Sequence, residues 1–287
     1  MGIESEFNLS NARVTIVGLG LMGGSLALAL RGKCLKIFGI EPNEKIRELA
    51  LKENIVDVAE ANIEILIPKS DIVILAAPVP QILLIIKDLP KYTSLPCIIM
   101  DLGSTKAKIV EAYDKLPENF HPIGGHPICG KENLSLVNSD RNLYFEAPFI
   151  LTPLPRTSHK ALNAAKQVIQ AIGAKLIVMN AVEHDQLLAA TSHLPFILAS
   201  ALVLATPDNV SEIIGPGFQS ASRLAGTPAS MMLGVIMTNR DKILAALERF
   251  QDELSIILSS IAENDSESLM NSLNSAQNKY ADLMKKN

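Results

Sequence analysis

Along the first 180 residues, short apolar runs alternate with longer stretches in which apolar residues recur every three or four positions. The short runs are RVTIVGLG, KIFGIE, DIVILAAP, CIIMDLG, PFILTPL and KLIVMN. Several are apolar on consecutive residues, the pattern of a strand buried on both faces. The stretches between them predict helices over 22–30, 44–53, 81–89, 105–115 and 158–172. Such alternation predicts an open, mostly parallel sheet with helices on both faces. After Asn180 the strand pattern stops, and helices are predicted over 182–205, 210–214, 229–237, 241–262 and 266–285. In DKILAALERFQDELSIILSSI the apolar residues form an amphipathic stripe. The pattern therefore divides the chain into an α/β domain over 11–180 and an all-α domain over 181–287. The apolar stripes of the second call for a partner surface, and a symmetric homodimer is the commonest solution.

Composition narrows the classes. The chain has 287 residues, 48% hydrophobic and 20% charged, far from the balance of a disordered chain and long enough for a real core. Net charge is −4 and Lys and Arg form no dense cluster, which argues against a nucleic-acid partner. Cys34, Cys97 and Cys129 are widely spaced, with no metal-ligand pattern, and fit a reducing cytoplasm. The start MGIESEFNLSNAR is polar and acidic, unlike a signal peptide, and Glu6 stands where myristoylation requires Ser or Thr. The apolar stretch 72–86 is broken by Pro78 and Pro80 and is too short to span a bilayer. A cytoplasmic protein without membrane or metal is expected.

VTIVGLGLMGGSLALAL changes the picture from fold class to ligand. It reads as a strand, then Gly18-x-Gly20-x-x-Gly23, then a helix. Gly18 permits the tight turn, Gly20 lets a pyrophosphate approach the main chain, and Gly23 lets helix and strand pack closely. Free amides near Leu21 and Met22, with the helix dipole, favour an anion there. This context points to a Rossmann-type NAD(P)-binding domain; a glycine turn without cofactor is the bland alternative. The second strand ends at Glu41, eighteen residues after Gly23. A carboxylate there accepts from the ribose hydroxyls and repels a 2′-phosphate. No arginine stands immediately beside it, so NAD is favoured over NADP. Pro78, ending the DIVILAAP strand, is placed on the cofactor side with these residues.

A nicotinamide cofactor takes hydride, so the protein must supply a base for the proton. DLGSTK ends a strand and puts Ser104 at the cofactor-facing edge, where it is equally read as the N-cap of a helix starting near residue 105. IGGHPICG holds His126 in what reads as a glycine- and proline-shaped loop, as a base or as an ordinary exposed histidine. VEHDQLLAATSHLP adds His184 and His193, nine residues apart, or about 180° round a regular helix. They are expected not to face one pocket unless Pro195 distorts the turn. PGFQSASRLAGTP presents Arg223, suited to grip a carboxylate or to sit on the surface.

Taken in order, VGLGLMGGSLA, DLGSTK, GGHPICG, NLYFEAPFILTP, EHDQLLAATSHLP and GFQSASRLA resemble the prephenate/arogenate dehydrogenase family of tyrosine biosynthesis, from Val14 to at least Leu247. The resemblance implies a dinucleotide domain joined to a helical dimerisation domain of the 6-phosphogluconate-dehydrogenase C-terminal type. It implies oxidative decarboxylation of arogenate to tyrosine, or of prephenate to 4-hydroxyphenylpyruvate, in the cleft between the domains. By motif match, His126 takes the proton of the ring hydroxyl and Ser104 holds that hydroxyl and His126. Arg223 grips a substrate carboxylate, and His184 and His193 contribute to the substrate side. Phe196 stands where some members carry a second histidine, SHLPH, and the loop KENLSLVNSDR is variable; both bear on the choice of side chain. NLYFEAPFILTP tips the substrate towards arogenate, whose users often take NADP, against the reading of Glu41. Other readings are a prephenate-specific enzyme, a β-hydroxyacid dehydrogenase or imine reductase, or a nicotinamide-binding regulator. The β-hydroxyacid group needs a helix lysine, and none lies between Lys175 and Lys242.

Overall fold

Alternating strands and helices fill the first part of the chain, as the apolar runs require. In order they are β1 (Arg13–Val17), α1 (Leu21–Leu30), β2 (Lys36–Ile40), α2 (Glu44–Lys52), β3 (Val58–Glu60), α3 (Ile63–Leu66), β4 (Ile72–Leu75), α4 (Val79–Tyr92), β5 (Cys97–Asp101), α5 (Ala107–Asp114), β6 (Phe120–Pro127), β7 (Pro148–Thr152), α6 (His159–Ala171) and β8 (Lys175–Val178). The computed structural model describes residues 7–131 and 133–285; the acidic start through Glu6, and Glu132 of the variable loop, lie outside them. One eight-stranded sheet results, in the order β3-β2-β1-β4-β5-β6-β7-β8. All pairings are parallel except β6 with β7.

The continuous apolar runs are explained by burial on both faces. In β4, Ile72 and Ile74 join a core with Leu26 and Leu30 of α1 and Val168 of α6. Val73 and Leu75 point the other way, into a core with Ile82 and Ile86 of α4 and Ile109 of α5. Each fully buried aliphatic side chain contributes about 1.5–3 kcal/mol, so this central strand needs no polar face.

Eight strands stand where six were expected. β3 is only three residues long. β6 corrects a reading outright: GGHP lies at the end of a strand, not in a loop. Its glycines and prolines read as a turn, but the strand's neighbours require them. A Cβ on Gly125 would lie 2.7 Å from the Asp101 carbonyl, and one on Gly124 would collide with the Thr152 hydroxyl.

Beyond the sheet come α7 (Ala181–Leu188), a π turn (Ala189–His193), α8 (Leu194–Ala205), α9 (Pro216–Ser222) and α10 (Ala229–Thr238). Residues 210–214 form only a short 3-10 turn, Ser211–Ile213. α7 packs against α5, and α10 against α4, where Gly234 lets the Pro80 ring approach. The run Ala181–Ala205 is long and apolar enough to cross a membrane by length and composition, unlike 72–86. The chain up to Asn239 is one compact unit.

A second unit begins at Arg240 and consists of α11 (Arg240–Ala262) and α12 (Ser266–Met284). Asn264 turns the chain at φ 54°, and Asp265 caps α12 by accepting from the Ser268 amide at 3.0 Å. The amphipathic stripe is present as expected, with Leu254, Leu258 and Ile261 exposed in the single chain.

Candidate active site

The cofactor end is built by one turn. Gly18 takes φ +96°, a conformation costly for other residues, and a Cβ there would lie 2.7 Å from the Ala76 carbonyl. Gly23 packs its bare Cα against the Gly18 carbonyl. A cavity of about 720 Å³ opens over this turn, lined by Gly18, Gly20, Leu21 and Met22, by Glu41 and by Pro78. Leu102, Gly103 and Ser104 continue the wall from the end of β5, and Ser230, Met231 and Val235 of α10 close it. The α10 residues carry no sequence motif, only small and apolar character. Thr105 and Thr238 join the two walls through hydroxyls 2.8 Å apart.

Two details differ from expectation. The Leu21 amide is not free: it donates to the Leu134 carbonyl at 2.8 Å, from the segment between β6 and β7. An arginine does stand near Glu41. Arg47, one turn into α2, donates to the carbonyls of Glu41 and Pro42 at 2.8 and 2.7 Å. Its guanidinium is thus committed to main chain, while Glu41 accepts from the amides of Leu19 and Asn43 at 3.1 and 3.0 Å. The carboxylate is thereby held at the cavity wall with further lone pairs to offer. The glycine turn without a Cβ, the carboxylate and the cavity together fit a dinucleotide cofactor.

The histidine end is assembled from distant parts of the chain. β6 pairs with β5 through Ile123 and Met100, so His126, three residues on, stands beside the turn that carries Ser104. His126 is half-buried, and its Nδ1 lies 2.8 Å from Nε2 of fully buried His184. His184 Nδ1 in turn lies 2.8 Å from Oδ1 of Asp185. The carboxylate can only accept, so it fixes the proton of His184 on Nδ1. His184 Nε2 is then an acceptor and His126 Nδ1 the donor, which leaves the lone pair of His126 on Nε2. Burial, with His184, the Lys106 ammonium and His193 adding to it, holds His126 well below the usual histidine range. A neutral imidazole with one nitrogen open is a general base.

Ser104 is not a helix cap. α5 starts at Ala107, and its first amides are satisfied from outside: Lys106 and Ala107 donate to the Asp185 carboxylate at 2.7 and 2.8 Å. Asp185 therefore both caps α5 and orients His184. The only sequence signal for it is its place in EHD beside His184.

His184 and His193 do not lie on opposite faces. The π turn takes up one extra residue, which swings His193 back towards His184. Both act on His126 electrostatically. Pro195 follows the distortion, which begins six residues earlier, at Ala189. His193 is buried and accepts on Nδ1 from Asn239 Nδ2 at 3.2 Å, and that amide also donates to the Asp185 carbonyl at 2.7 Å. Burial first, with Asp185 opposing it, pushes His193 down to about 4. Arg223 is exposed on the 3-10 turn Arg223–Gly226, which packs against α8. The cavity wall includes none of His126, His184, His193 or Arg223. Among the described residues no group of three or more His, Cys, Asp or Glu could hold a metal ion.

Two family models match the chain in succession. Residues 26–178 match the nucleotide-binding domain of prephenate dehydrogenase, and residues 180–275 its dimerisation domain. The chain is 30% identical over 268 residues to a prephenate dehydrogenase of Bacillus subtilis, an alignment covering 89% of this chain and 72% of the relative. Among solved structures it is similar to Aquifex aeolicus prephenate dehydrogenase in complex with hydroxyphenyl propionate and NAD+. The TM-score is 0.88 and the identity 30%, over 96% of this chain and 100% of that one. Synechocystis arogenate dehydrogenase superposes with a TM-score of 0.79 at 27% identity, over 93% of this chain and 99% of that one. The chain belongs to the prephenate dehydrogenase family and is an NAD(P)-dependent oxidoreductase that decarboxylates the substrate it oxidises.

Proposed function

We propose that the chain oxidises arogenate to tyrosine, with His126 as the general base and NAD as the favoured cofactor. The observation that carries this is the relay from Asp185 through His184 to His126, with both nitrogen contacts at 2.8 Å. When bound, NAD would supply the hydride acceptor, and Gly18, Gly20, Gly23 and Glu41 would hold it. His126 Nε2 takes the proton of the ring hydroxyl, and Ser104 orients that hydroxyl from the end of β5. The ring carboxylate leaves as carbon dioxide, its bonding electrons completing an aromatic ring. Arg223 grips a carboxylate. His184 acts through His126, and His193 supports the pair from the substrate side.

Glu41 supports NAD because a carboxylate at that position repels a ribose phosphate, and Arg47 is tied to carbonyls instead of being offered to one. NLYFEAPFILTP supports arogenate. Prephenate is the second reading, favoured by the B. subtilis relative, whose name is prephenate dehydrogenase. The domains of the active enzyme meet near residue 180, and the exposed apolar faces of the helical part pair in a homodimer. In the apolar run Ala181–Ala205, His184, Asp185 and His193 are buried while Leu202, Val203 and Leu204 are exposed in the single chain. Those exposed residues belong to the face that pairs in the homodimer of a cytoplasmic enzyme with no membrane or nucleic-acid partner.

One panel tests the proposal: purified protein with arogenate or prephenate, each against NAD or NADP, following reduced cofactor. The expected result is fastest turnover with arogenate and NAD. Turnover with prephenate alone, or with NADP alone, would replace that half of the assignment.

A further inference from the structure

Behind the histidines lies a second polar cluster that the chemistry above does not use. Asp101, at the end of β5, and Lys106, just before α5, are both fully buried and form an ion pair. Asp101 also accepts from the Gly103 amide at 2.8 Å and faces the Gly125 amide at 3.4 Å. The Lys106 ammonium donates to the Gly125 carbonyl at 2.6 Å. At its other end, the Lys106 amide donates to Asp185.

These contacts close a ring. His126 meets His184, His184 meets Asp185, Asp185 holds the Lys106 amide, and the Lys106 ammonium holds the carbonyl of Gly125, the residue covalently joined to His126. Gly125 has no room for a Cβ against the Asp101 carbonyl, so β6 sits directly on the ion pair. A buried ion pair is a weak source of stability, because desolvation offsets most of the attraction. Burial pushes Asp101 up and Lys106 down, each opposed by its partner. Stability alone does not account for a buried charge fitted at both ends into one ring.

We propose that Lys106, held by Asp101, is a positioning residue of the reaction: it locks the main chain at Gly125 so that His126 stays in register with His184 and Asp185. The proposal rests on the reading of His126 as the base. A second consequence concerns charge. His126 is faced by His184 and His193 from α7 and the π turn, with Asp185 beyond His184, and by Lys106, paired with Asp101, from the β5–α5 turn. Burial does most to disfavour a proton on His126, followed by His184, then the Lys106 ammonium and His193.

The test compares the unmodified protein with two neutral pairs, Asp101→Asn/Lys106→Met and Asp101→Asn/Lys106→Gln, and with His126→Ala. The Met pair cannot donate to Gly125; the Gln pair can, one atom short. Misplacement of a reacting group by about 1 Å costs up to about 10²-fold. The Met pair is therefore expected to lose between about 10-fold and 10²-fold in kcat, with NAD binding unchanged. The Gln pair is expected to recover part of the loss. In both, the acidic limb of kcat/KM moves to higher pH. A folded neutral pair with unaltered kcat and acidic limb, beside an inactive His126→Ala, would overturn the role of Lys106 alone. Full activity in His126→Ala would overturn the base and this role together. If neither pair folds, the unmodified protein decides: a slowly exchanging ammonium signal from Lys106 in its 15N–1H spectrum is expected, and its absence overturns the proposal.

Discussion

The two ends of the site are built by opposite means. At the cofactor end, residues within one turn do the work through their own backbones: Gly18 bends, and Gly23 admits the strand. Glu41 enters from the neighbouring strand and is held by the Leu19 amide of the same turn. At the histidine end, no residue works alone. His126 gains its tautomer from His184, which gains its own from Asp185, and Asp185 is anchored on α5, about 80 residues earlier in the chain. A local device tolerates change around it, whereas a relay fails wherever one link is lost.

That contrast can be broken at several points, and the largest effect is expected at the end of the relay. His126→Ala should lower kcat by about 10²-fold to 10⁴-fold, the range for loss of a general base, while NAD titrations by fluorescence stay unchanged. Asp185→Asn leaves the packing volume but replaces a group that only accepts with an amide that can also donate, so the tautomer of His184 is no longer fixed. A loss of about 10-fold to 10²-fold in kcat is expected, as for other groups that orient a histidine. If steady-state kinetics instead show only a raised KM, Asp185 acts in binding and the relay is misassigned. At the local end, Glu41→Ser should change selectivity rather than rate. Removing a charged hydrogen-bond acceptor from the ribose should narrow the NAD preference over NADP by about 10-fold in kcat/KM. A preference that stays put would take Glu41 off the ribose.

The same contrast explains what could be read from the residues. The glycine turn, the acid ending β2 and the change from sheet to helices after Asn180 are legible because each is a local pattern acting locally. β6 was hidden because Gly124, Gly125 and Pro127 carry the composition of a turn. The strand exists because β5 and β7 flank it and leave no room for side chains at those glycines. The shared orientation of His184 and His193 depends on a π turn in AATSH, a stretch with no glycine and no proline of its own. Asp185 as the cap of α5, and Lys106 as the partner of Asp101, are contacts between elements, and spacing along the chain is silent about them. A lysine five residues after the acid that ends a buried strand was the one available hint.

The role of His126 as base depends on its protonation, which can be observed without turnover. A long-range 15N–1H spectrum of histidine-labelled protein, with its five histidines assigned by single substitutions, reports tautomer and charge at each ring. His126 is expected as the neutral Nδ1–H form at neutral pH. Because its folded value is depressed, it should stay neutral as pH falls past about 6.5, where an unperturbed histidine takes up its proton. An Nε2–H tautomer, or an imidazolium already present near pH 7, would contradict the relay and with it the assignment of the base.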